Sequence, residues 1–169
     1  MPLEPQFDKS GNISHFIYDP EIIRGRTYPD ESENLKVGQP IPDFEMTNSK
    51  NEKVTLESFK GNYLIIEFLF FMSPPRYTQE RFLKDDSIAQ QLKMKHDSNY
   101  IRVTKNGKED IQSILPDNYA MQIIPAGYPW FDLFNITQTP TYLVIDRESV
   151  LVARFDRLDI KQLEGIITN

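Results

Sequence analysis

No cysteine occurs among the 169 residues of the chain. That excludes disulfides, thiolate nucleophiles and cysteine-ligated metals, whatever the redox state of the compartment. Histidine is almost as scarce, with only His15 and His96. One falls in the N-terminal leader and the other at the far end of a predicted helix. No Ser-His pair and no His/Asp/Glu metal spacing is therefore signalled. There is no Gly-rich phosphate loop, and no metal or cofactor is implied. Lys and Arg form no dense block and the formal net charge is -6. That argues against nucleic acid as a partner, since phosphate binding wants a positive face. No apolar run approaches the roughly 20 residues that span a bilayer as a helix. The opening "MPLEPQFDKSGN" lacks the basic and apolar regions of a signal peptide, which leaves location open.

Aromatic residues, by contrast, are plentiful: 11 Phe, 8 Tyr and the single Trp130. A chain of this length and composition suits one domain with a core of ordinary size. Residues 1–36, rich in Pro, Asp, Glu and Ser, read as an irregular N-terminal extension. Within it "HFIYDPEIIRG" is expected to dock through Phe16, Ile17, Ile22 and Ile23 or else to remain a free leader.

From residue 37 the pattern becomes regular. "DFEMT" alternates, "SKNE" is a turn, and "KVTLESF" predicts a second short strand running to a bend at Gly61. "YLIIEFLFF" (63–71) is nearly all apolar and β-prone, as a central strand covered on both faces should be. "SPPRYTQERFLKDDSIAQQLKMKH" follows with helical spacing, Ser73 as a cap and proline in the first turn. "NYIRVTK" predicts a strand, "KEDIQSILPDNY" a helix stopping near Pro116, and "PWFDLFNI" a further short helix. "PTYLVID" and "VLVARF" form a hairpin through "RES", and "DIKQLEGIITN" closes as an amphipathic helix. The order β-β-β-α-β-α-α-β-β-α argues for a mixed sheet sandwiched by helices.

Three stretches together resemble the thioredoxin-like fold, in its redoxin branch of TlpA/ResA-type thiol-disulfide oxidoreductases and AhpC/TSA-like peroxiredoxins. "VGQPIPDFEMTNSKNEKVTLESFKGNYLIIEF" (37–68) is similar to the family's opening hairpin and central strand. "FLFFMSPPRYTQE" (68–80) is similar to its strand–Cys-x-x-Cys–helix segment. "ITQTPTYLVIDRESVLVARF" (136–155) resembles its proline loop and hairpin. The resemblance implies a three-layer α/β/α sandwich over 37–169, with a mixed central sheet and an N-terminal β-hairpin.

The same resemblance places Ser73 and Arg76 where the two catalytic cysteines belong, with Pro74 and Pro75 between them. Met72 takes the place of the preceding tryptophan and Leu69 that of an aromatic residue. Thiol-disulfide exchange needs a thiolate attacking sulfur, and the Ser73 hydroxyl is a far weaker acid with no base signalled beside it. Arg76 is expected to pair with Glu80 one turn on or to recognise an acidic or backbone group of a partner. Glu67 interrupts the buried strand. The family carries a buried proton-relaying acid there, whereas the plainer expectation is a strand-end Glu reaching solvent or pairing with a lysine. Buried, it needs a partner, for which Arg76 or a neighbouring lysine is available. Pro140 matches the family proline preceded by a cis bond, so Thr139–Pro140 is expected to be cis and to offer backbone groups to an extended peptide. Met72, Phe71 and Trp130 are expected at the surface near that cleft, with the other aromatics in the core. Asp85 and Asp86, with Glu31 and Glu33, read as solvated surface. The triplets Asn12-Ile13-Ser14 and Asn135-Ile136-Thr137 fit a glycosylation site only weakly.

Two readings of function follow. The first is a non-catalytic binding or structural module that uses the relic cleft (Met72, Arg76, Trp130, Thr139, Pro140), with a polypeptide as the partner it suits. The second is a thiol-disulfide oxidoreductase or peroxidase in which Ser73 stands in place of a catalytic cysteine. Kinship to envelope and secreted proteins suggests a bacterial cell-envelope location. The oligomeric state is left open.

Overall fold

The computed structural model describes residues 4–7, 13–17, 35–70, 75–115, 122–125, 127–157 and 159–168, the side chains of 4–7, 13–17, 75–82 and 114 excepted. Two compact units result, Met1–Glu33 and Asn34–Asn169. In the first, β1 (Glu4–Phe7) pairs antiparallel with β2 (Ile13–Ile17), Glu4 opposite Ile17. The expectation of an irregular segment misses this ladder. Only the second strand, ISHFI, carries a strand signal; EPQF, with glutamate and proline, does not, which is why the ladder is not legible in the sequence. The expected docking contacts of Phe16, Ile17, Ile22 and Ile23 lie outside the described residues.

The second unit opens with a small hairpin, β3 (Glu45–Thr47) and β4 (Lys53–Thr55). The buried Asn48 shapes its turn: its Oδ1 accepts from the backbone N–H groups of Lys50 and Glu52, each at 2.9 Å. The strand expected over "KVTLESF" stops at Thr55, and a 3-10 turn, Leu56–Phe59, replaces its second half. The Ser58 hydroxyl accepts from the Thr55 N–H at 3.3 Å and so ends the ladder in favour of the turn.

The main sheet follows. β5 (Leu64–Leu69) leads into α1 (Pro75–His96), then β6 (Asn99–Thr104) and α2 (Lys108–Ile114). β7 (Gln122–Ile124) leads through α3 (Tyr128–Leu133) to the hairpin of β8 (Thr141–Ile145) and β9 (Leu151–Phe155), and α4 (Ile160–Ile167) ends the chain. The strand order is β7-β6-β5-β8-β9, with β5, β6 and β7 parallel and β8 and β9 antiparallel to their neighbours. β7 is a strand that the sequence reading did not assign. Its three residues are too few for a period to show. No helix among the described residues is long and apolar enough to cross a membrane.

Because side chains alternate along a strand, register alone sorts the core into two faces. Leu64, Ile66 and Phe68 of β5 join Ile101, Val103, Ile124, Leu143 and Leu151 on the face covered by α3 and the β3–β4 hairpin. Ile65 joins Tyr100, Tyr142 and Val144 on the other, where α1 supplies Ala89 and Leu92 and α4 supplies Leu163 and Ile167. The Asp159 carboxylate caps α4, accepting from the Lys161 and Gln162 N–H groups at 2.9 and 3.3 Å. Residues 38–41 run along the start of β9, with the Gly38 N–H donating to Leu151 O (2.7 Å) and the Ile41 N–H to Ser149 O (2.9 Å). This strap covers part of an edge strand that would otherwise present open backbone groups.

Candidate functional site

In open α/β sheets, ligands bind beyond the carboxyl ends of the parallel strands, where the connections diverge to opposite sides. Here that place is the end of β5. Phe68 lies opposite Thr141 of β8, so the chain leaving β5 runs past Pro140 and Thr139. The Thr139–Pro140 peptide is cis, Pro140 is half-buried and Thr139 is exposed. The Thr141 hydroxyl donates to Gln138 O at 2.8 Å and ties the loop to the head of β8. On the far side of β5, Leu69 pairs with Thr104 of β6. α1 begins at Pro75, where a proline gives up only an N–H that has no helical acceptor.

Residues 71–74 lie outside the described residues, as do the side chains of Pro75, Arg76 and Glu80. The expected Ser73 cap, the Arg76–Glu80 pair and the surface positions of Phe71 and Met72 therefore stand untested. Trp130 is only partly buried: it sits on α3 edge-on to Phe44, ring centroids 6.3 Å apart, against the apolar cluster. Among the described residues the large aromatic surface at this end of the sheet is Phe70, 45% exposed, together with Tyr128, 54% exposed. Neither was singled out from sequence as a surface residue.

Glu67 is buried, at 1% exposure. Its Oε2 accepts from Arg102 Nε at 2.7 Å and from the Tyr100 hydroxyl at 2.9 Å, while Oε1 accepts from the Tyr142 hydroxyl at 3.1 Å. A Glu reaching solvent, or pairing with a lysine, is thus corrected, and so is Arg76 or a lysine as the source of its partner. The partner is Arg102, directly across the ladder on β6. Arg102 also donates from Nη1 to Asp86 Oδ1 of α1 at 2.6 Å. Asp85 and Asp86, expected as solvated surface, are both buried. Their stripe on α1 continues through Ala89 and Leu92, and that helical spacing was the signal available.

Two carboxylates, one guanidinium and two phenols thus meet under the sheet. Burial pushes the Asp86 carboxyl above its ordinary range, an effect that Arg102 opposes and Glu67 reinforces. Burial, with the field of Glu67 behind it, pushes the Tyr100 hydroxyl well above the usual phenol range. Burial also presses against the charge on Arg102, but the fields of Glu67, Tyr100 and Asp86 overcome it, so the guanidinium holds its proton more tightly than usual. The cluster orders α1 against β5, β6 and β8. Among the described residues, no group of three or more acidic or histidine side chains is placed to hold a metal ion. Asn135 is buried just past α3 with φ +46°, and its carbonyl accepts from Arg154 Nη2 at 3.2 Å. A glycan has no room on that side chain.

No family model and no curated protein matches the sequence. Solved structures do. The thioredoxin domain of a thiol-disulfide oxidoreductase from Bacteroides vulgatus has a TM-score of 0.62 at 18% identity, covering 79% of this chain and 99% of its own. The exposed lipoprotein thioredoxin of Streptococcus pneumoniae has 0.61 at 16%, over 75% and 98%. The reduced 2-Cys peroxiredoxin of Plasmodium vivax has 0.60 at 13%, over 78% and 80%. At such identities the likeness defines the fold, which is thioredoxin-like: a mixed five-strand sheet with a separate two-strand hairpin and flanking helices.

Proposed function

We propose that this chain is a thioredoxin-like domain without redox catalysis, which binds polypeptide at the cleft between the end of β5, the start of α1 and the Thr139–Pro140 loop. The observation that carries the reading is the total absence of cysteine from a fold whose solved neighbours include thiol-disulfide oxidoreductases and a peroxiredoxin. Electron exchange through sulfur has no atom to use here. What remains is a sheet end, an exposed loop and the side chains of Met72, Arg76, Thr139, Pro140 and Trp130 as the surface offered to a partner. Location at a bacterial cell envelope is part of the proposal. It rests on likeness to proteins such as the exposed lipoprotein thioredoxin and is checked by fractionation of the source cells.

Insulin reduction and peroxide consumption, measured beside a pull-down from cell extract, test the reading. No turnover above background is expected, together with captured polypeptides that are lost on Met72→Asp or Arg76→Glu. Turnover by the unaltered chain would remove it. The alternative, a redox enzyme with Ser73 in the place of a cysteine, rests on the sequence resemblance that sets Ser73 at a catalytic cysteine position. It expects Ser73→Cys to restore peroxide consumption, and an inert variant sinks it.

A further inference from the structure

The last pair of the β5–β6 ladder is Leu69 and Thr104, and Phe70 and Lys105 are the residues that directly follow it on the two strands. On the other flank the β5–β8 ladder ends with Phe68 opposite Thr141, two residues before Phe70 and two after Thr139. Lys105 is held in an unusual way. Its Nζ lies 4.6 Å from the ring centroid of Phe131 and 5.5 Å from that of Tyr128. Gly127 makes this possible. Its N–H donates to Thr104 O at 2.8 Å, and a Cβ on it would lie 2.5 Å from Val103 Cγ1, so only glycine lets the chain come close enough to lay Tyr128 against Lys105. Among the described residues Lys105 makes no ion pair. It is a cation fixed over two ring faces, the exposed Tyr128 among them, and Phe70 is exposed at the same end of the sheet.

We propose that this ledge selects acidic polypeptide segments, an apolar side chain of the partner packing on Phe70 and Tyr128 while an adjacent carboxylate pairs with Lys105. The selectivity rests on the reading of this end of the sheet as a polypeptide site and narrows it. A basic segment sets like charge against Lys105. A polyanion such as nucleic acid meets one cation on a chain of net charge -6, too little to hold a row of phosphates. A sparse carboxylate next to an apolar side chain satisfies both the cation and the exposed rings.

Two synthetic peptides, Phe-Asp repeats spaced by glycine and the same peptide with Lys for Asp, titrated into the full chain and followed by amide NMR, decide the matter. The Asp peptide is expected to shift the Phe70, Lys105 and Thr139 amides and to bind about five-fold more tightly than the Lys peptide, the range of one partly exposed ion pair. Lys105→Glu is expected to invert that order. Phe70→Ser is expected to weaken both peptides while leaving the order intact. Equal binding of the two peptides, or an order unchanged in Lys105→Glu, overturns the acid selectivity and leaves the polypeptide site standing. Binding of neither peptide overturns both. Spectra of each variant that match the parent away from the ledge show that the fold is retained.

Discussion

The two faces of the central sheet are built on opposite principles. One is aromatic: Phe68 meets Phe131 at 5.1 Å and Phe134 at 5.5 Å, and Phe44 meets Phe134 at 6.2 Å, ring centroid to ring centroid. The other carries Glu67, Arg102 and Asp86 with Tyr100 and Tyr142 in its midst. Neighbouring residues of one strand, Glu67 and Phe68, belong to the two different worlds. Apolar packing is non-directional and tolerates exchange of shape. A buried charge cluster is satisfied only as a set, and losing one member leaves its partners uncompensated.

The strongest way to break the comparison is Arg102→Met. It leaves two buried carboxylates facing each other and is expected to lower stability by about 3–5 kcal/mol. Phe68→Leu on the opposite face is expected to cost about 1–2 kcal/mol. Urea midpoints for the two variants check the ranking. Replacing the whole set together (Glu67→Leu, Asp86→Leu, Arg102→Met, Tyr100→Phe, Tyr142→Phe) is expected to recover most of the loss, because the charges and hydroxyls that satisfy one another are then removed together. A quintuple variant less stable than Arg102→Met alone would contradict this account.

On the aromatic side the chain comes close at Gly127, where an added methyl meets Val103 at 2.5 Å. Gly127→Ala is expected to cost about 1–3 kcal/mol by overpacking, read as a lowered melting temperature. It should also separate Tyr128 from Lys105, read as a change in the Tyr128 ring resonances.

The charged face also titrates, and the aromatic face does not. Tyr100 keeps its proton in the fold above the ordinary value of 10.0 because it is buried and faces Glu67. As pH rises past that value the unfolded chain releases the proton first, so the folded state loses stability on the alkaline side. The decline should be shallower in Tyr100→Phe, and identical slopes for the two proteins would refute it.

The smallest effect lies at the sheet's margin. In the β8–β9 turn Ser149 adopts φ +66°, the left-handed region that favours glycine. Ser149→Gly relieves a left-handed serine but loosens the unfolded chain, for a net gain of about 0.5 kcal/mol. A slightly raised melting temperature is the expected reading.

What could be read from the sequence follows the same division. β5, β8, β9 and α4 were legible because their periods are strong, and the fold emerged from three stretches in the right order. Glu67 stood out as an acid inside an apolar run. Arg102 did not, because the fact that matters is its pairing across strands, and a linear sequence carries no register. Asp86 read as surface because two adjacent acids on a helix usually are. Only the buried stripe of Ala89 and Leu92 behind it says otherwise. Trp130 stays partly exposed while its ring packs edge-on against Phe44, whereas Phe70 looked like core and lies open, since the strand ends one residue before it.

The bond from Arg102 to Asp86 fastens α1 to the sheet from beneath, ten residues beyond Arg76. The helix thus has an anchorage that owes nothing to the residues at its head. The residues above such a keel can change while the helix stays seated on the sheet.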